Sequence, residues 1–283
     1  MCGQYYISNH SYKILISFEI KVTRMKQAIN NFKKYRFLLS ELIIKEIKLK
    51  YRRSYLGILW TLLEPLLNTI VLTVVFGTLL GNSNKTFPLY IVSGRLLFTF
   101  FSNGTKGAMK SIRSNGQMIK KVYVPKYIYP LSSIMAQYVT FLISLIVLIG
   151  VQIYSQVKPT MYIFQAIVPL FILFIMVVGV GMILATMEVF FRDMEYLWGV
   201  LLTIIMYCSA IFYYSDRIIK TNHGWILKLN PIYAIIVNFR DSIIDAKSLN
   251  LEALIYSGAF SIVTLIIGIW MFYKNQDKFI LNI

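Results

Sequence analysis

Cysteine and histidine are nearly missing from this sequence, with two of each among 283 residues. Cys2 stands at the very start and Cys208 inside an apolar run, which excludes a disulfide framework. His10 and His223 lie far apart, and no group of ligating side chains has metal-site spacing, so no metal is assigned. Acidic residues are scarce too, 12 against 29 Lys and Arg. The chain lacks a G-x-x-x-x-G-K-[ST] run, and with it the loop that cradles the phosphates of ATP. It also lacks G-x-S-x-G and H-E-x-x-H. No catalytic residue is assigned, and no cofactor in this chain.

Apolar residues fill that space. The chain is 57% hydrophobic and only 14% charged, with a mean hydropathy of +0.64, far too apolar for an ordinary soluble domain. It reads as an all-α integral membrane protein. A net charge of +17 raises nucleic acid as a partner, but the basic residues flank long apolar runs instead of clustering on a polar domain. Anchoring against anionic lipid and setting of topology fit better, and no nucleic-acid partner is expected. The first 24 residues lack the apolar core of a signal peptide, because Lys13, Glu19 and Lys21 interrupt it. With Met25 a more typical beginning, they read as an upstream start or a disordered tail, and residues 1–34 are taken as an N-terminal tail.

A spanning helix needs about 20 mainly apolar residues. Six stretches qualify: 58–80, 88–109, 131–154, 161–187, 197–214 and 253–273. The spacing therefore predicts a six-span domain over 57–275 and a cytoplasmic tail over 276–283. An even count puts both termini on one side. If that side is cytoplasmic, it holds 12 Lys and Arg before the first span, six between 104 and 127, Arg192, Lys274 and Lys278; these 21 face seven outside. The positive-inside rule then places both termini in the cytoplasm of a multi-pass plasma-membrane protein.

Before the first span, Glu41, Lys45, Lys48 and Arg52 step by four, three and four, while Leu38, Leu39, Leu42, Ile43 and Ile47 fall on the other side. This predicts a cytoplasmic amphipathic interface helix over 35–56, either anchoring to lipid or docking a partner. Glu64 then lies about 9 Å into the first span at 1.5 Å per residue, beside Pro65. A carboxylate at that depth is costly unless paired, protonated or hydrated, which makes it a functional candidate. Arg95 sits near the outer end of the second span, and a depth difference of roughly 10 Å in a core about 30 Å thick argues against a direct pair with Glu64. "MKSIRSNGQMIKKVYVPKYIYPLS" is basic without an acid, and "EVFFRDMEYLW" is short and charged; each is a solvated loop or a surface a cytoplasmic ATPase pushes on. Between spans five and six, "IYAIIVNF" is too short to cross and too apolar for a solvated loop, so it predicts short re-entrant helices on the outer face. Much of the 20 Tyr and 19 Phe fits an interfacial belt, and periodicity does not separate that belt from aromatics lining a sugar-binding conduit.

The ordered stretches "YRRSYLGILWTLLEPLL", "LYIVSGRLLFTFF", "IKKVYVPKYIYPLS", "VFFRDMEYL", "AIFYYSDRI" and "LNPIYAIIVNFRD" resemble the membrane subunits of bacterial ABC exporters of lipid-linked polysaccharide, the O-antigen, capsule and teichoic acid permeases. The resemblance covers about residues 30–275. It implies two copies of the chain around a conduit, with two copies of a separate P-loop ATPase that binds ATP and Mg. It also implies a lipid-linked glycan as substrate. By position it assigns Arg113, Lys120, Lys121, Tyr123, Arg192, Asp193 and Glu195 to ATPase coupling. Asn230, Pro231, Arg240 and Asp241 go to an outer gate, and Arg52, Arg53, Glu64 and Arg95 to the substrate entrance and conduit. One departure is Ser209-Ala210 where such permeases commonly carry Ser-Pro, which removes an expected kink in the fifth span. Two other classes remain open: an ion-coupled secondary transporter or flippase without an ATPase partner, and a membrane enzyme acting on a lipid-linked sugar. A P-loop ATPase in the adjacent reading frame separates them from the exporter.

Overall fold

The computed structural model describes residues 34–52, 54–80, 84–122, 124–219 and 224–283. The chain divides into two compact units, residues 1–42 and 43–283, with the boundary inside one run of helix over 34–51 (α1). Leu38, Leu39, Leu42, Ile43 and Ile47 are buried or half-buried, while Glu41, Lys45, Lys48 and Arg52 are exposed. The helix is shorter than the expected 35–56, because residues 54–56 bend into a 3-10 turn, Gly57–Leu59. Gly57 takes φ +50° there, a conformation that costs glycine little.

The larger unit continues with α2 (Trp60–Leu80), α3 (Phe87–Ser114), α4 (Gly116–Lys121), α5 (Ile128–Tyr154) and α6 (Ile167–Phe190). It ends with α7 (Met194–Tyr207), α8 (Asp216–Ile219), α9 (Gly224–Lys228), α10 (Pro231–Ile243), α11 (Leu251–Asn275) and α12 (Phe279–Asn282). No strand occurs among the described residues. Among the described residues four helical stretches are long and apolar enough to cross a membrane: Gly57–Thr78, Ile128–Tyr154, Met161–Phe190 and Leu251–Asn282. The expected second span differs because α3, though 28 residues long, carries Arg95, Lys106, Lys110 and Arg113 along its length. The expected fifth span, 197–214, differs because α7 stops after 14 residues. The chain leaves the helix at Cys208 and Ala210 turns to φ +47°. The bend that a Ser-Pro pair would enforce is thus present without the proline.

At the centre, α6 packs along α11 and against α3. The contact is backbone to backbone. A Cβ on Gly179 would sit 2.5 Å from the Leu265 amide nitrogen, and one on Gly268 would sit 2.5 Å from the Gly179 carbonyl oxygen. Ser257, Ser261, Thr264 and Gly268 step by four, three and four along the buried side of α11. Small residues let helix backbones approach closely in an apolar medium, where no hydrophobic force drives them together. Residues 276–283, expected as a tail, instead form a 3-10 turn and α12 packed on the bundle. Phe279 is fully buried, its ring 5.1 Å from Phe272 and 6.1 Å from Phe190.

Candidate functional site

Polar side chains recur at helical spacing on one face of three helices. Thr61, Glu64 and Asn68 do so on α2, Arg95, Thr99, Ser102 and Lys106 on α3, and Gln137, Thr140 and Ser144 on α5. These faces meet, and together with Lys50 and Tyr51 they line one cavity of about 280 Å³. In a bilayer such groups turn away from lipid toward a neighbour or water, and here the cavity receives them. Glu64 and Arg95 therefore share one site despite their difference in depth. No ion pair joins them among the described residues. The Glu64 carboxylate acts through space on Arg95 and on Lys50, while the Arg95 guanidinium lies 3.2 Å from the Met206 sulfur. Pro65 sits within α2, which continues on both sides of it. Arg52 is exposed and does not line this cavity; Arg53 lies outside the described residues.

At the end of the bundle where α3 meets α4 and α6 meets α7, Arg113 donates to the Glu188 carboxylate at 3.0 Å. Glu188 is 2% exposed, and among the described residues its second oxygen has no hydrogen-bond partner. Beside this pair, Lys110 on α3 bonds Glu195 on α7. Arg192 and Asp193 are exposed in the turn between, and Arg192 is near enough to act on Glu188 electrostatically. Lys120 and Lys121 end α4, and Lys120 donates to the Ile283 carbonyl at 2.7 Å. Tyr123 lies outside the described residues. Two loops assigned separately are thus cross-linked by charge across α3, α6 and α7. Lys110 and Glu188, which carry that link, lie inside the two charged stretches read from the sequence but were not singled out there as site residues.

At the opposite end, Asn230 and Arg240 hold the break after α7. Asn230 caps α10 by accepting from the Ile232 amide at 3.0 Å, while Pro231 takes the first helical position. The same Asn230 amide donates to the Cys208 carbonyl at 3.0 Å and the Ser209 hydroxyl at 2.8 Å. Arg240, 4% exposed, donates to the carbonyls of Ala210 at 2.9 Å and Tyr90 at 2.8 Å. Its guanidinium carbon stands 3.4 Å from the centre of the Tyr90 ring. Carbonyls that the broken helix leaves open thereby find donors. Gly94 leaves room for this arginine, since a Cβ there would lie 2.6 Å from its terminal nitrogen. Asp241, the next residue, faces a second and larger cavity.

Comparison with known proteins matches residues 38–244 to the family described as ABC-2 type transporter. The O-antigen export system permease protein RfbA of Klebsiella pneumoniae is 26% identical over 238 residues, covering 83% of this chain and 90% of its own. The protein of the same name from Myxococcus xanthus is 26% identical over 257 residues, 90% of this chain and 98% of its own. The polysialic acid transport protein KpsM of Escherichia coli is 22% identical over 259 residues, 88% of this chain and 98% of its own.

Proposed function

The chain belongs to the ABC-2 type transporter family, and from that premise we propose that it is the membrane-spanning permease subunit of an exporter of lipid-linked polysaccharide. O-antigen and capsular glycan are the favoured substrate classes, because the relatives that match nearly end to end are named for them; teichoic acid is a further member of the class. The observation that carries the reading is the polar cavity between α2, α3 and α5, built on helices otherwise apolar. A chain that only anchored an assembly would have no use for Glu64, Arg95, Asn68 and Gln137 at such depth.

In this reading six spans cross the bacterial inner membrane: α2, α3, α5, α6, α7 with the bent 208–215 stretch, and α11. Both termini are cytoplasmic, as the 21 to seven distribution of Lys and Arg favours. Two copies pair around the conduit, and two copies of a separate P-loop ATPase bind ATP and Mg, which this chain does not itself bind. Closure of the ATPase pair presses on α4 and on the α6–α7 turn. The Arg113–Glu188 and Lys110–Glu195 pairs pass that movement to three spans as a rigid-body shift. The lipid diphosphate meets basic residues near the inner leaflet, Lys50, Arg52 and Arg53 among them. Membrane extraction and affinity purification of the tagged chain are expected to bring down a P-loop ATPase. A chain that purifies alone and still moves substrate without nucleotide would contradict the reading in favour of a secondary transporter.

A further inference from the structure

A helix of six residues, as α4 is, cannot hold its place by its own hydrogen bonds, so the position of α4 depends on what packs against it. One neighbour is the end of α3; another is the segment 276–283, made of the 3-10 turn Gln276–Lys278 and α12. Lys120, in the last turn of α4, donates to the Ile283 carbonyl at 2.7 Å, and Lys126, in the loop before α5, donates to the Gln276 carbonyl. The segment is thus tied at both ends to the region around α4. The buried Gly116 lies against Ile283, where an added Cβ would collide with that side chain. Between the ties Phe279 is fully buried, with its ring packed on Phe272 of α11 and on Phe190, which ends α6. Lysine bonds to exposed carbonyls fix little by themselves, and it is the buried ring that keeps the segment from lifting away.

Phe190 stands between Glu188, which binds Arg113, and the exposed turn of Arg192 and Asp193. One short segment therefore touches α4, the end of α6 and α11 together. We propose that residues 276–283 brace α4 and the α6–α7 turn as one body, with Phe279 as the positioning residue, so that a push on α4 also moves α6 and α11. The inference rests on the exporter reading and adds a third element to its coupling machinery. With the brace loosened, α4 yields alone and ATP is hydrolysed without moving glycan.

The ratio of glycan moved to ATP hydrolysed tests this, in sealed vesicles holding the full chain and its ATPase, with the lipid-linked glycan extracted from the source cells as the probe. A residue that only supports folding lowers both quantities together, through the amount of assembled complex, and leaves their ratio unchanged. Phe279→Ala is expected to lower the ratio about threefold or more in complexes that retain the ATPase, and Phe279→Leu, which refills most of the buried space, to restore it. Gly116→Leu reaches the same contact from the other side: it displaces Ile283 while raising the helix propensity of α4, and is expected to lower the ratio as well. The brace is overturned if Phe279→Ala or Gly116→Leu assembles and keeps the parental ratio, if Phe279→Leu falls as far as Phe279→Ala, or if neither Phe279→Ala nor Gly116→Leu assembles with the ATPase, which would assign the segment to folding alone. In each of these outcomes the parent complex still transports. A parent complex that moves no glycan with ATP refutes the exporter reading, and this inference with it.

Discussion

Arg240 shows how far a residue's role is set by where its hydrogen bonds go. Among the described residues no carboxylate pairs with it, yet two carbonyls and a tyrosine ring satisfy it. Removing it takes the donor from the Ala210 carbonyl at the bend and one of two side-chain donors from the Tyr90 carbonyl, which keeps the Ser93 hydroxyl, so Arg240→Ala is expected to cost on the order of 1–3 kcal/mol, read as a fall in the thermal midpoint of the purified chain. Its neighbour Asp241 predicts the opposite sign. Burial, and then repulsion by Asp245, hold its carboxyl above the usual carboxylate range, with Lys247 opposing. A raised folded-state pKa means that folding disfavours the ionised form. The penalty is missing below the unfolded value of about 3.9 and is complete once pH exceeds the folded one. Asp241→Asn is therefore expected to raise the thermal midpoint at pH 7 to 8, with the gain shrinking as pH falls toward 4. From the sequence, both residues were legible as a polar pair after an apolar run. That one braces the bend while its neighbour faces a cavity depends on contacts with α3 and α7, which no local pattern encodes.

Helices were the most legible level, for a physical reason: α5, α6 and α11 are continuous apolar runs, and their expected extents overlap those observed. The misfits arise where tertiary contacts override pattern. Residues 208–214 are apolar enough to prolong α7, but Asn230 and Arg240 satisfy the carbonyls that leaving the helix exposes, and that compensation comes from 20 to 30 residues away. The reverse holds for the cavity. Gln137, Thr140 and Ser144 have helical spacing in plain view, yet single polar residues in apolar helices are common, and only the convergence of three such faces distinguishes them. The α6–α11 contact makes a prediction at this scale. Gly179→Leu is expected to force the two backbones apart and cost about 1–3 kcal/mol or more, seen as a lower thermal midpoint and loss of the monodisperse elution peak. Gly150→Ala, where an added Cβ would meet nothing within 4 Å, is expected to leave both unchanged.

For the whole molecule, charge balance and apolar content carried the membrane reading, and the exporter reading came from the resemblance of six ordered stretches to polysaccharide permeases. The structure adds three features: a charged end where Glu188 and Glu195 tie α6 and α7 to α3, a polar cavity against α2, α3 and α5, and a braced bend with a larger cavity beside it. If Glu64 serves the transport path, Glu64→Gln lowers export while leaving assembly with the ATPase intact; lost assembly would assign it a structural role. This chain, together with a separate ATPase, is expected to move a lipid-linked glycan across the membrane. The direct measurement is glycan appearance on the far side of sealed vesicles holding this chain and its ATPase, with ATP or a non-hydrolysable analogue. Transfer is expected only with ATP and only with both subunits present. Transfer by this chain alone, driven by an ion gradient and indifferent to ATP, would contradict it.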